Sequence, residues 1–170
     1  PATLRRQRQM CIRDRQDWGE NMEKSIDGVI DISEKNVVER KATATGLLYL
    51  SEDSKVAIIE KKIKKGDVIE ASTIAAIQAV KDTPRIIPHC HPIPLEGCNV
   101  SWAWEGNNLR CSVSVNANYK TGIEMEALTG VSAGLLCAFD MVKSIEKDND
   151  GQYPDTAIGD IRVVKKFKSE

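Results

Sequence analysis

The chain has only two histidines, and both lie in one short loop. His89 and His91 flank Cys90, and a proline stands on either side, at positions 88 and 92. An imidazole transfers protons near neutral pH, so this loop favours acid–base or anion-binding chemistry. A metal site is the alternative interpretation. A closed zinc site takes four ligands, and the sequence has no second Cys/His cluster, so we predict that no metal is bound.

Two further segments carry groups of the same chemical kind. The start of a predicted helix holds Glu124, Met125 and Glu126, and the same helix later holds Asp140 and Lys143. Lys65 lies in a basic turn next to a glycine, where a flexible ammonium can reach a ligand. Together with the histidine loop, these residues predict an acid–base site that handles an anion.

Each of these lysines and acids also has a simpler interpretation. Lys65 belongs to a run of surface lysines, and Asp140 with Lys143 is spaced like an exposed helical ion pair of little energetic value. The apolar neighbours Phe139 and Val142 argue against exposure. They predict that Asp140 is partly buried, with a pKa raised toward that of a useful acid.

Glu126 and Asp140 are fourteen residues apart on one predicted helix, which separates them by about 21 Å. One reacting centre cannot touch both in a single chain. Either they hold opposite ends of a substrate, or a neighbouring subunit completes the site. Arg40 in the first strand and Lys120 before a Thr-Gly turn are candidate phosphate contacts, although both are equally consistent with solvated charges.

Composition narrows the class of protein. The 170 residues are 41% hydrophobic and 29% charged with a net charge of −1, which predicts one globular domain. Residues 1–15 carry five arginines, so the rest of the chain is acidic, and nucleic-acid binding is not expected. No apolar run in the sequence is long enough to predict a segment that spans a bilayer, so no membrane role is expected either. The five scattered cysteines indicate free thiols in a reducing cytoplasm.

The first twenty-four residues differ from the remainder, because they show no apolar periodicity. They fit a disordered natural arm or a non-native extension. We favour the second, since residues 10–15 resemble a translated sequencing adapter and Met22 is a plausible start. We therefore assign the catalytic domain to residues 25–170.

Hydrophobic periodicity predicts an α+β fold. Residues 37–50 suggest one long strand or a strand pair, followed by a short helix after Ser51. A second helix opens at Asp67, with an apolar stripe that includes Ile74, Ile77 and Val80 and an end near two prolines. A hairpin over 99–104 and 109–118, a long helix over 124–147 and a strand over 158–167 complete the chain. The order predicts a ferredoxin-like βαββαβ sandwich, an antiparallel sheet with helices on one face.

Five motifs in this order resemble the MoaC family. The resemblance covers residues 28–166 and rests on segments 31–35, 65–67, 87–92, 121–129 and 139–143. It implies cyclic pyranopterin monophosphate synthase activity in molybdenum-cofactor biosynthesis, in which a cyclised dihydro-GTP is rearranged and pyrophosphate is released. It also implies a homohexamer built as a trimer of dimers, with interfacial active sites and no cofactor.

The resemblance assigns roles residue by residue. The expected catalytic residues are Asp140, Lys65, Lys143 and His91. The expected substrate-binding residues are His89, Cys90, His91, Met125, Glu126, Glu124, Arg40 and Lys120. If Lys65 and Asp140 meet across an interface, mixing the two single variants restores activity.

Two departures from the family pattern stand out. The glycine-rich tail of many members is replaced by a lysine-rich end over residues 164–170, and His89 stands where a leucine is usual. The alternative function is a ferredoxin-like ligand-binding module without catalysis, which would bind the substrate and release no pyrophosphate.

Overall fold

The structure is a computed structural model that describes Ile26 and residues 28–170. The predictions made for residues 1–24 lie outside the described residues. The described elements, in chain order, are β1 (Val38–Tyr49), α1 (Glu52–Ile59), α2 (Val68–Ile86), β2 (Gly97–Glu105), β3 (Asn108–Tyr119), α3 (Glu124–Glu146) and β4 (Ala157–Lys168).

The four described strands form one sheet in the order β2-β3-β1-β4, and every neighbouring pair is antiparallel. This order, with the helices inserted after β1 and β3, confirms the predicted ferredoxin-like α+β arrangement. Residues 38–49 form one continuous strand rather than a strand pair. This strand lies in the middle of the sheet, between β3 and β4.

The core lies between the sheet and the helices, because successive strand residues face opposite sides. Ala42, Ala44 and Leu48 of β1 are buried on the helix side, and Val113 and Val115 of β3 lie beside them. α3 covers these residues with Val131, Leu135, Ala138 and Val142, as its three-and-four spacing predicted. Polar residues such as Thr43 and Ser114 lie on the opposite side of the sheet.

The helices α2 and α3 lie side by side and run in opposite directions. A Cβ added at Gly130 would lie 2.5 Å from a methyl of Val80, and one added at Gly134 would lie 3.2 Å from the Cβ of Ala76. Glycine therefore permits this close approach. The contacts also correct the predicted stripe, because small residues of α2 face α3 while Ile74 is 62% exposed.

The two helix starts follow the predicted capping pattern. Ser51 accepts a hydrogen bond from the Ser54 amide at α1, and Asp67 accepts one from the Glu70 amide at α2. α2 continues through Pro84 and ends at Ile86, a little farther than the prolines suggested. With 19 residues it is about 28 Å long, so the segments before and after it lie near opposite ends of α3.

The long helix corrects one expectation from hydropathy. By length and composition alone, Glu124–Glu146 is sufficiently apolar to cross a membrane. In the fold this helix packs on the sheet, and apolar residues such as Val131, Leu135 and Val142 belong to the protein core, whereas Leu136 is 60% exposed. Its apolar character is therefore explained by packing inside the domain.

Candidate active site

The predicted residues form two groups, one at each end of α3. Lys65 precedes α2 and lies against the late part of α3, whereas the histidine loop follows α2 and lies against the start of α3. We call the first group the lysine–aspartate cluster, which comprises Lys65, Asp140 and Lys143. We call the second the histidine-loop cavity, which is lined by His89, Cys90, His91, Ile93, Thr121, Gly122, Glu124, Met125 and Glu126.

In the lysine–aspartate cluster, both carboxylate oxygens of Asp140 accept a hydrogen bond. Lys65 Nζ lies 2.5 Å from Oδ2 and 2.8 Å from the main-chain oxygen of Asp140, and Lys143 Nζ lies 2.7 Å from Oδ1. All three residues belong to one chain. Lys65 and Asp140 therefore meet within one chain, so the condition under which their single variants would complement each other is not met.

The ionisation of Asp140 also differs from the prediction. Its side chain is about half exposed, and hydrogen bonds from Lys143 and then Lys65 lower its pKa from 3.8 to about 2. The prediction of a raised pKa is thus wrong, because Phe139 and Val142 turn toward the core while Asp140, about 100° away on the helix, turns outward. The bond to Asp140 raises the pKa of Lys143.

An aromatic side chain borders this cluster. The ring of Tyr153 packs on Phe139 with centroids 5.3 Å apart and a tilt of 57°. Phe139 and Lys143 are four residues apart, so they are neighbours on one face of α3. Tyr153 therefore lies beside Lys143, in the loop between α3 and β4.

In the histidine-loop cavity, the most unusual group is Glu126. It is 2% exposed, and its Oε1 has no hydrogen-bond partner among the described residues. Burial raises the pKa of Glu126. Burial, followed by the nearby charge of Glu126, also raises the pKa of Cys90, which keeps Cys90 a thiol. The cavity measures about 220 Å³ and brings a buried acid beside two imidazoles.

Glu124 has a different environment from Glu126. Burial alone would raise its pKa, but a hydrogen bond from Lys166 and the charge of Arg40 outweigh that effect and lower it. The side chain of Glu124 folds across Gly122, where a Cβ would clash with it. Arg40 therefore lies at this end of α3, and its Nε is buried without a partner in the described chain.

Sequence patterns did not identify Lys166, which pairs with Glu124 from β4. No sequence signal marked this lysine, because the sheet register that pairs Lys166 with Ala42, on the helix side of the sheet, is set only by folding. The Lys166 side chain is still 58% exposed, so burial does not force its pairing with Glu124. The predicted contact Lys120 lies outside the cavity lining, and its Nζ donates to the Ser33 carbonyl at 2.7 Å.

A second and larger cavity lies elsewhere. It measures about 610 Å³ and lies against strand residues that include Lys41, Thr43, Asn116, Lys165 and Phe167. None of the predicted acids or imidazoles lines it. The chemically reactive groups therefore concentrate at the two ends of α3. Among the described residues, no group of three or more His, Cys, Asp or Glu side chains is arranged to hold a metal ion.

Comparison with known proteins identifies the family. The family model described as "MoaC family" matches residues 29–169. A "Probable cyclic pyranopterin monophosphate synthase accessory protein" of Methanothermobacter thermautotrophicus is 54% identical over 142 residues, 84% of this chain and 89% of that protein. A "Probable cyclic pyranopterin monophosphate synthase" of Thermococcus kodakarensis is 51% identical over 84% of this chain and 91% of its own. A protein of the same name from Sulfolobus acidocaldarius is 50% identical over 83% of this chain and 99% of its own length. The chain belongs to the MoaC family.

Proposed function

We propose that this protein is a cyclic pyranopterin monophosphate synthase, a lyase of molybdenum-cofactor biosynthesis. Its substrate is (8S)-3',8-cyclo-7,8-dihydroguanosine 5'-triphosphate, the cyclised dihydro-GTP, and its products are cyclic pyranopterin monophosphate and pyrophosphate. The family match and the names of the similar proteins support this activity. The lysine–aspartate cluster is the observation that carries it, because it places a carboxylate between two ammonium groups at an exposed position.

The cluster suits proton transfer at the substrate ring. At neutral pH Asp140 is ionised and Lys143 is protonated, and the hydrogen bond between them moves both pKa values away from neutrality. Lys65 lies on the other side of Asp140 and supplies a second positive charge. A substrate that separates Asp140 from the two ammonium groups would bring the pKa values back toward neutrality, so that the carboxylate can accept a proton and an ammonium can donate one.

The histidine-loop cavity suits binding at the other end of the substrate. The unpartnered Oε1 of Glu126 can accept an N–H or O–H of a ligand, because a buried acceptor without a partner is costly. Arg40, Lys166 and Lys120 supply positive groups near this end of α3 for phosphate oxygens, and His91 lines the cavity beside them. His89, Cys90 and Met125 shape the loop side and the rim of the cavity.

The distance between the two groups suggests how the complete site is built. Glu126 and Asp140 are about 21 Å apart along α3, which is too far for one reacting centre. We therefore propose a homohexamer, a trimer of dimers, in which the cavity of one chain faces the cluster of its neighbour. The proposal includes a cytoplasmic location and no bound metal, nucleic acid or membrane.

Turnover tests the proposal directly. Purified protein is mixed with the cyclised triphosphate, and pyrophosphate release is followed together with the mass of the product. Asp140→Asn and Lys65→Ala should each lower turnover by at least about a hundredfold, the scale of losing an acid–base group. Ser144→Ala, an exposed change on the same helix, is the control. Binding of the substrate without pyrophosphate release would support the non-catalytic module instead.

A further inference from the structure

A segment near the start of the described chain lies across the histidine loop. We call residues 28–33 the N-terminal strap. The Gly28 carbonyl accepts a hydrogen bond from His89 Nδ1, and the Ile30 carbonyl accepts one from His91 Nε2 at 2.8 Å. Lys120 Nζ donates to the Ser33 carbonyl at 2.7 Å. Three side chains expected to contact substrate therefore also hold this strap.

The strap has a defined local conformation of its own. The Ser33 amide donates to Asp31 Oδ1 at 2.8 Å, and the Lys35 amide donates to the Ile32 carbonyl at 3.1 Å. The bond from Ser33 is the main cause that lowers the pKa of Asp31, and the charge of Lys120 adds to it. These bonds form a turn over residues 31–35, directly after the two carbonyls that the imidazoles contact.

Apolar burial does not account for the position of the strap. Val29 is 51% exposed and Ile30 is 68% exposed, and Ile32 is only partly buried and does not belong to the core cluster. The three side-chain hydrogen bonds are therefore its main attachments to the domain. Loss of one attachment should loosen the strap without unfolding the protein.

The carbonyl of Ile30 also defines the chemistry of His91. A carbonyl oxygen only accepts hydrogen bonds, so Nε2 of His91 must carry a proton. In the neutral ring Nδ1 is then the acceptor, and it remains available for a ligand of the cavity. The strap thus fixes both the orientation and the tautomer of an imidazole that lines the site.

We propose that His89 is a positioning residue, which anchors the N-terminal strap so that the strap can orient His91. The expected effect on KM rests on the proposed function, whereas the anchoring of the strap does not depend on that function. The matching conservative variant is His89→Asn, because an asparagine amide can donate from a position close to that of Nδ1.

The experiment compares His89→Leu, His89→Asn and the wild type in the full-length chain. Limited trypsinolysis under native conditions is followed at the exposed bond after Lys35, with the bond after Lys147 as the internal reference. His89→Leu should be cut after Lys35 about fivefold faster, as expected when an exposed segment loses one hydrogen bond. It should also raise KM about fivefold with little change in kcat. His89→Asn should resemble the wild type in both measurements.

The outcomes separate this proposal from the proposed function. Wild-type cleavage and wild-type KM in His89→Leu would overturn the anchoring role, and so would faster cleavage with unchanged KM. Equal losses in His89→Leu and His89→Asn would also overturn it, because they would show that the imidazole itself is needed. If the wild-type protein releases no pyrophosphate, the proposed function fails and the cleavage rates alone decide whether His89 anchors the strap. His89 is exposed, so both variants should keep the wild-type unfolding temperature.

Discussion

At the residue scale, two acids of one helix have opposite ionisation behaviour. Asp140 is exposed and paired with two lysines, so its pKa is lowered to about 2. Glu126 is buried without a partner for Oε1, so its pKa is raised. Residue type does not distinguish these two carboxylates, whereas burial and neighbouring charges do. Such a division between acids is common where a site needs both a charged group and a readily protonated one.

The pKa of Glu126 predicts a gain in stability when its charge is removed. A raised folded-state pKa means that the fold favours the protonated acid, so stability falls as pH rises above the unfolded value of 4.5. Glu126→Gln should therefore raise the free energy of unfolding at about pH 7 by on the order of 1 kcal/mol. The difference should vanish at about pH 4, where both side chains are neutral.

Urea unfolding of the unliganded protein at the two pH values measures this effect. Glu124→Gln is the matched control, because Glu124 is paired with Lys166 and its pKa is lowered. That variant should be no more stable than the wild type at about pH 7. A less stable Glu126→Gln protein at neutral pH would contradict the assigned burial penalty. Glu126→Gln should also lose turnover, since it lacks the carboxylate that we assign to substrate binding.

The pKa of Asp140 predicts the opposite dependence on pH. A lowered folded-state pKa stabilises the fold above the unfolded value of 3.8, and this contribution is lost as pH falls through about 2. Asp140→Asn should therefore be less stable than the wild type at about pH 5, and the difference should shrink toward about pH 2. Urea unfolding midpoints of the wild type and Asp140→Asn, measured across this pH range, test the prediction. A difference in stability that does not change with pH would show that Lys65 and Lys143 do not stabilise the ionised form of Asp140.

At the element scale, the position of α3 decides where both groups lie. This helix runs along β1, from the end near Arg40 to the end near Ser51. The hydroxyl of Ser51, the residue that caps α1, donates a hydrogen bond to Glu146 in the last turn of α3. Its close contact with β1 occurs at Gly46, where an added Cβ would lie 2.8 Å from Leu135 and Val131 methyl groups. Displacement of α3 at this contact should move both the cavity and the cluster.

Gly46→Ala tests this contact. Removing a glycine from a strand gains about 0.4–1 kcal/mol through the unfolded chain. Overpacking a close contact costs typically ~1–3 kcal/mol, so a net loss of stability is expected. The urea concentration at the midpoint of unfolding should fall, and turnover should fall with it. Gly28→Ala is the control for stability, because a Cβ there meets nothing within 4 Å. Equal stability of the two variants would mean that α3 adjusts freely.

At the scale of the whole molecule, the proposed site combines groups from two chains. Lys65 and Asp140 lie in one chain, so mixing Lys65→Ala with Asp140→Asn should restore no activity. Mixing Glu126→Gln with Asp140→Asn should restore activity. Where the cavity of an Asp140→Asn chain faces the cluster of a Glu126→Gln chain, the site contains both wild-type groups. Random assembly predicts recovery to about a quarter of the wild-type rate.

The complementation experiment uses subunits unfolded and refolded together, with each variant refolded alone as the baseline. Light scattering should give the mass of a hexamer for wild type and mixtures alike. A monomeric mass for fully active enzyme would contradict a shared site. Restored activity from the Lys65→Ala and Asp140→Asn mixture would contradict the pairing within one chain.

The sequence by itself determined the order of elements, the ferredoxin-like fold and the residues to examine. Hydrophobic periodicity is a local property, so α3 and β1 could be predicted from spacing alone. The five motifs likewise identified Lys65, Asp140 and the histidine loop as chemically important. Nothing in those local patterns fixed which of these residues approach one another.

The tertiary structure alone decided the ionisation and the partners of these residues. It turned Asp140 toward two lysines, buried Glu126, paired Lys166 with Glu124 and laid residues 28–33 across His91. Each of these facts depends on groups that are far apart in the chain and meet only after folding. A pKa or a hydrogen bond depends on distance and burial, which spacing along the sequence does not specify.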